Sequence, residues 1–165
     1  MAGAHTLAET ERQVSALLKG KTLDFESMAV MANLFRAASA ARNHFERTVL
    51  LDHDLSWTAF VVLWVTWIWE PIETRQIAEE GGFSKATLTG VLSTLENRKL
   101  LTREKSKEDG RLVLVKLTAS GRKLMDKLFP EFNQHESMVA SVLTKSKKVD
   151  TAEALRLITN YATEN

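Results

Sequence analysis

The residues best placed to do chemistry in this 165-residue chain are cations and hydroxyls. LLTREKSKEDGRLVLVKLT, residues 100–118, sets Arg103, Lys105, Lys107 and Arg111 in and beside a loop that also carries Glu108 and Asp109. Just upstream, FSKATLTGVLS offers Ser84, Lys85, Thr87, Thr89 and Ser93. Guanidinium and ammonium groups neutralise phosphates, and short hydroxyl side chains donate to or accept from polar edges. Together they suit an extended anionic partner. Asp109 is read as ordering the loop by pairing with a nearby cation, with Arg103 as the candidate.

Two other groups attract attention. Trp57, Trp64, Trp67 and Trp69 crowd together with Phe60 in WTAFVVLWVTWIW, and LLDHDLS puts His53 between two carboxylates. Aromatic residues at helical spacing build a core before they build a pocket, but these are spread over more than one face. His53, Trp57, Trp64 and Trp67 are therefore candidate contacts for a small molecule. His5, His44 and His135 share no ligand spacing with His53, and the chain has no cysteine. No metal site, disulfide or thiol chemistry is expected. With no Ser/His/Asp order, no Gly-rich phosphate loop and no paired acids, the sequence reads as neither an enzyme nor a cofactor binder.

Charge and length frame these groups. Net charge is only +1, but residues 74–122 hold ten Lys or Arg against six Asp or Glu, and the remainder is net acidic. Such a local basic excess suits an anionic partner. The most apolar stretch, residues 57–69, is shorter than the roughly 20 residues of a membrane-spanning helix. The chain opens without a cationic segment followed by an apolar one, so a cytoplasmic address and no membrane partner are expected.

The elements that must position these residues follow from periodicity. Residues 1–6 look frayed, and a short helix over 7–18 is broken by Gly20. Met28, Met31, Leu34, Phe35, Ala38, Ala41, Phe45 and Val49 recur near a 3.6 period and predict a long amphipathic helix over 27–51. Asp54 or Ser56 can cap the next helix, 57–69, which Pro71 ends. Thr74 is expected to cap a short helix closed by Gly81 or Gly82, and Ser84 a further one with Leu88, Val91, Leu92 and Leu95 on one face. Strands over 101–105 and 112–117 follow. Thr118 then caps a long helix that Pro130 should kink, and a last amphipathic helix covers about 151–161.

Helix, turn, helix and charged hairpin is the order of a winged helix-turn-helix. The second short helix would lie in a DNA major groove, and the hairpin would reach the adjacent minor groove with Arg111. The residues then resemble a known family. Asp109-Gly110-Arg111 followed by Leu117, Thr118 and Gly121 resembles the wing and succeeding helix of the MarR family of transcriptional regulators. LSWTAFVVL and ETRQIAEEGGFSKATLTGVLSTLENRKLLTR resemble its preceding helix and its helix-turn-helix, and the similarity covers about residues 25–161. It implies a homodimer with interlocking terminal helices, two winged lobes on a palindromic operator in double-stranded DNA, and a cleft for a small-molecule effector. Gly90, Lys99 and Gly110 depart from the family pattern, which often has Arg after Thr89, a helix-ending Gly, and a second wing cation.

The expected fold is therefore mainly α (α+β): a winged helix-turn-helix lobe with a two-stranded wing, plus N- and C-terminal helices forming a dimerisation domain. The expected divisions are 1–53 (dimerisation), 54–118 (DNA-binding lobe) and 119–165 (dimerisation). The expected function is a DNA-binding regulator, a repressor released by an aromatic or anionic effector. The alternative is a winged-helix module for protein contact without DNA binding. That reading needs apolar anchors over 84–93, where Thr and Ser stand.

Overall fold

The computed structural model describes residues 5–164, so residues 1–4 of the expected frayed start lie outside it. The chain folds as two compact units, one through Asn43 and one from His44 onward. The first holds α1 (Leu7–Leu17) and most of α2 (Phe25–Phe45). Thr6 is fixed, contrary to the expected fraying. Its hydroxyl accepts from the Glu9 amide at 3.2 Å while Glu9 accepts from the Thr6 amide at 2.7 Å, which satisfies two otherwise free helix-start donors. Asp24 caps α2 through the Ser27 amide at 2.9 Å, and Asn33 ties α2 to α1 by donating to Glu11 at 2.7 Å.

The second unit begins with the end of α2, which widens into a π-helical turn over Glu46–Leu50 and closes with a 3-10 turn over Leu51–His53. Phe45, Val49 and Leu50 are buried there, and Asp54 ends the run in the left-handed region at φ 51°. Of the two proposed caps, Ser56 serves α3 (Trp57–Trp69), accepting from the Ala59 amide at 3.2 Å. A two-residue strand, β1 (Ile72–Glu73), then precedes α4 (Thr74–Gly81) and α5 (Lys85–Asn97). Glu73 rather than Thr74 is the cap of α4, and its amide donates to Gln76 at 3.2 Å.

The wing strands are β2 (Leu101–Lys105) and β3 (Val113–Leu117), but the sheet has three strands in the order β1-β3-β2. Ile72 pairs with Val115 and Glu73 with Leu114, all antiparallel. The expected two-stranded wing is thus anchored by a third strand too short for any alternation to reveal. Val62, Leu63, Ile77, Leu95, Leu101, Val115, Met125 and Leu128 are fully buried, and they join α3, α4, α5, the sheet and α6 (Ala119–Val139) into one core. Each such side chain contributes about 1.5–3 kcal/mol by leaving water.

Two long helices complete the unit. Thr118 caps α6 through the Gly121 amide at 3.0 Å, and its hydroxyl donates to the Lys99 carbonyl at 2.6 Å. A β-carbon at Gly121 would lie 1.9 Å from the Leu100 carbonyl oxygen, so only glycine lets α6 start this close to the end of α5. The helix runs unbroken across Pro130. Past a 3-10 turn, α7 (Lys145–Glu164) starts six residues before the expected 151, because the polar residues ahead of Thr151 carry no apolar periodicity. It buries none of its side chains within the chain. Among the described residues no single helix is long and apolar enough to cross a membrane.

Candidate nucleic-acid interface

The turn between α4 and α5 is built by Gly82, at φ 64°, and by the Phe83 amide donating to the Ala78 carbonyl at 2.9 Å. Phe83 lies so close over Gly81 that a β-carbon there would meet its ring at 2.2 Å. The inward face of α5 is Leu88, Leu92 and Leu95, all buried, which turns Lys85, Thr87, Thr89 and Gly90 to solvent and leaves Ser93 half-buried. The hydroxyls already have local roles. Ser84 accepts from the Thr87 amide at 3.1 Å and shares a hydrogen bond with its hydroxyl at 2.8 Å. Thr89 donates to the Lys85 carbonyl at 2.8 Å, which leaves its oxygen free to accept. Nothing lies within 4 Å of where a Gly90 side chain would go.

The wing tip is a constructed loop. Ser106 Oγ accepts from the amides of Glu108 and Asp109 at 3.2 and 3.3 Å, and the Leu112 amide donates to the Asp109 carbonyl at 2.9 Å. Asp109 takes the Arg111 amide at 3.0 Å and its guanidinium at 3.2 and 3.3 Å. Those hydrogen bonds from Arg111 hold the Asp109 carboxyl below the usual aspartate range. The Asp109 partner is therefore Arg111, not Arg103. Arg103 instead reaches from β2 to Glu96 on α5, with Nη2 at 2.5 Å and Nε at 3.0 Å, and depresses that carboxyl in turn. The Arg111 side chain is 90% exposed despite its pairing, and Lys105 and Lys107 are exposed beside it.

Lys85, Arg111 and the exposed hydroxyls thus belong to one lobe, held by one three-stranded sheet and one core. The candidate small-molecule residues are divided. Trp57 packs in an aromatic cluster with Phe45, Phe60 and Phe132, where Phe60 and Phe132 stack at 4.3 Å. Trp67 lies against Phe129 at 5.4 Å, and Trp64 is 38% exposed. His53 is half-buried, with Nε2 at 3.2 Å from Glu131 on α6. No group of three or more His, Asp or Glu among the described residues could hold a metal ion.

Arg98 is the exposed residue that ends α5. Its guanidinium donates to the carbonyls of Asp54 at 2.5 Å and His53 at 2.9 Å, so it caps a distant turn. No local sequence signal marks a contact between positions so far apart in the chain.

The MarR family profile matches residues 55–113, which is α3 through the wing. The uncharacterized HTH-type transcriptional regulator YwaE of Bacillus subtilis is 36% identical over 138 residues, spanning 84% of this chain and 81% of YwaE. The chain belongs to the MarR family. As a MarR protein it is a transcriptional regulator of winged helix-turn-helix type and not an enzyme. Among solved structures, AbsC, a MarR family regulator from Streptomyces coelicolor, superimposes with a TM-score of 0.78 at 18% identity, covering 88% of this chain and 99% of AbsC. BpsR of Bordetella bronchiseptica, whose DNA binding is regulated by 6-hydroxynicotinic acid, has a TM-score of 0.72 at 28% identity, covering 79% of this chain and 98% of BpsR.

Proposed function

We propose that this MarR regulator binds a palindromic operator in double-stranded DNA as a homodimer, with α5 in the major groove and the wing in the adjacent minor groove. The observation that carries this reading is the joint exposure, on one rigid lobe, of a capped polar helix and an ordered, arginine-tipped hairpin. Ser84, Lys85, Thr87, Thr89 and Ser93 serve the major-groove side. Thr89, with its proton given to the Lys85 carbonyl, is left as an acceptor for base amino groups. Lys85 stands at the start of α5, where a cation is disfavoured by the helix dipole, and a phosphate there relieves that conflict.

On the wing, Arg111 is the groove probe, Lys105 and Lys107 contact phosphate, and Asp109 and Arg103 support the loop and strand. The solvent-exposed pairing of Arg111 with Asp109 is readily exchanged for the negative potential of a minor groove. The helices at both ends of the chain pair with those of a second copy, in keeping with the unburied α7. The protein acts as a cytoplasmic repressor. Its effector is an aromatic or anionic molecule received beside His53 and Trp57, whose partners Glu131 and Phe132 are neighbours on α6, rather than at Trp64 and Trp67, a chemistry in line with the hydroxynicotinate that regulates BpsR.

Selection of bound fragments from a random DNA pool tests the proposal. An enriched inverted repeat is expected. Failure to enrich any sequence, with no retention of DNA at low salt, would overturn it in favour of a protein-contact module.

A further inference from the structure

The turn at His53 and Asp54 is held from two sides. Asp54 sits at φ 51° after the 3-10 turn, where the last carbonyls of a helical run lack intrahelical partners. Arg98, the residue that ends α5, fills two of them at once, with Nη1 at 2.5 Å from the Asp54 oxygen and Nη2 at 2.9 Å from the His53 oxygen. From the other side, Glu131 of α6 lies 3.2 Å from His53 Nε2, and that imidazole is only 11% exposed. A planar guanidinium spans two acceptors in a way an ammonium cannot. The DNA-facing helix therefore grips the backbone of His53 and Asp54, while the long helix α6 grips the His53 side chain. Glu131 also adjoins Phe132, which stacks on Phe60, and Trp57 follows the turn by three residues.

We propose that Arg98 and Glu131 are positioning residues that set the orientation of α5 relative to α6 through the His53–Asp54 turn, and that neither touches DNA. This rests on the DNA-binding reading above and adds to it the means by which the aromatic cluster reaches the major-groove helix. Displacing Glu131 or the His53 ring at the cluster loosens the turn, and Arg98 passes that freedom to the end of α5. A bound regulator must hold α5 still, so loosening it costs affinity without removing any contact to DNA.

The test compares the unaltered protein with Arg98→Ala, Arg98→Lys, Glu131→Gln and the Arg98→Ala/Glu131→Gln pair. Affinity for the selected operator is measured across a salt series, and amide exchange over residues 51–55 is measured without DNA. Each single variant should bind about fivefold more weakly, the scale of one or two net hydrogen bonds, with an unchanged salt slope. The double variant should lose little more than the worse single, because both act through one turn. Exchange should quicken in every variant, Arg98→Lys included.

Charge alone predicts the opposite for Glu131→Gln, since removing an acid from a DNA-binding protein tightens binding. Tighter binding by that variant would overturn the proposal. So would full binding by Arg98→Lys together with a salt slope lower by about one in Arg98→Ala, the mark of a direct phosphate contact. Unaltered exchange over 51–55 would overturn it independently of any DNA measurement. Absence of operator binding by the unaltered protein would instead defeat the functional reading itself.

Discussion

At Lys99 the chain takes a left-handed conformation, φ 57°, directly after the end of α5. An L side chain in this region costs on the order of 1 kcal/mol, which glycine avoids. The Lys99 carbonyl accepts from Thr118, so the backbone geometry is fixed by neighbours whatever side chain stands there. Lys99→Gly is expected to raise stability by about 0.5–1 kcal/mol, read as a higher midpoint in urea unfolding at unchanged slope. Asp109 supplies a second residue-level expectation. Its folded pKa is depressed by the hydrogen bonds from Arg111, so the order it gives the wing is fully present above the ordinary aspartate value and is lost as pH falls through the lower folded one. A carboxyl titration followed by NMR should show a midpoint below 3.8 for Asp109. Arg111→Ala should return it towards that value. A midpoint at or above 3.8 in the unaltered protein would mean that the pair does not persist in solution.

Among the elements, α5 and the wing make separable contributions to binding. If Arg111 occupies the minor groove, Arg111→Ala should weaken binding most on operators with A·T-rich flanks, where the groove is narrow and its potential most negative. Lys107→Ala should weaken binding evenly across sequences and lower the salt slope by about one, as for a single phosphate contact. Equal, sequence-independent losses in both would reduce the wing to a general electrostatic contact. On α5, Gly90 faces open space and weakens the helix relative to a residue with a side chain. Gly90→Arg should therefore fold at least as stably and bind DNA more tightly at low salt, both measurable by thermal unfolding and gel retention.

These elements were legible in the sequence to different degrees, for physical reasons. Ser56, Ser84 and Thr118 announced their helices because a cap is a local hydrogen bond, and the wing strands were visible in their alternation. β1 was not, since two residues cannot display a period and its stability comes from Val115 far along the chain. Sequence proximity pairs Arg103 with Asp109, since both lie in the hairpin. In the folded lobe, β2 brings it to Glu96 across an element boundary that sequence proximity does not measure. The reach of Arg98 to His53 and Asp54 is longer still, and no local pattern encodes it.

For the molecule as a whole, α7 is an element that one chain does not account for. Leu155, Leu157, Val149 and Val142 are exposed on it or just before it, and α7 buries no residue. A free chain gains little from ordering such a helix, whereas a second copy covering it removes that apolar area from water. Mass measurement at submicromolar concentration is expected to give twice the 18.5 kDa of the chain, with unfolding that depends on protein concentration. A folded monomer under those conditions would exclude an obligate dimer.

The pairing of Ile72 with Val115 has a consequence for how the protein is made. β1 leaves the ribosome without a partner, and its partner strand is synthesised about forty residues later. Both helices of the helix-turn-helix and the tip of the wing lie inside the loop which that pairing closes. The entropy of closing a loop rises only slowly with its length, so the delay exacts little in final stability. It does fix the order of events: a nascent chain displays the basic residues of the interface before it has the frame that orients them. Selective attachment to an operator begins only when translation has passed β3, and until then the growing polypeptide has for nucleic acid no more than the weak, indiscriminate attraction of its charge.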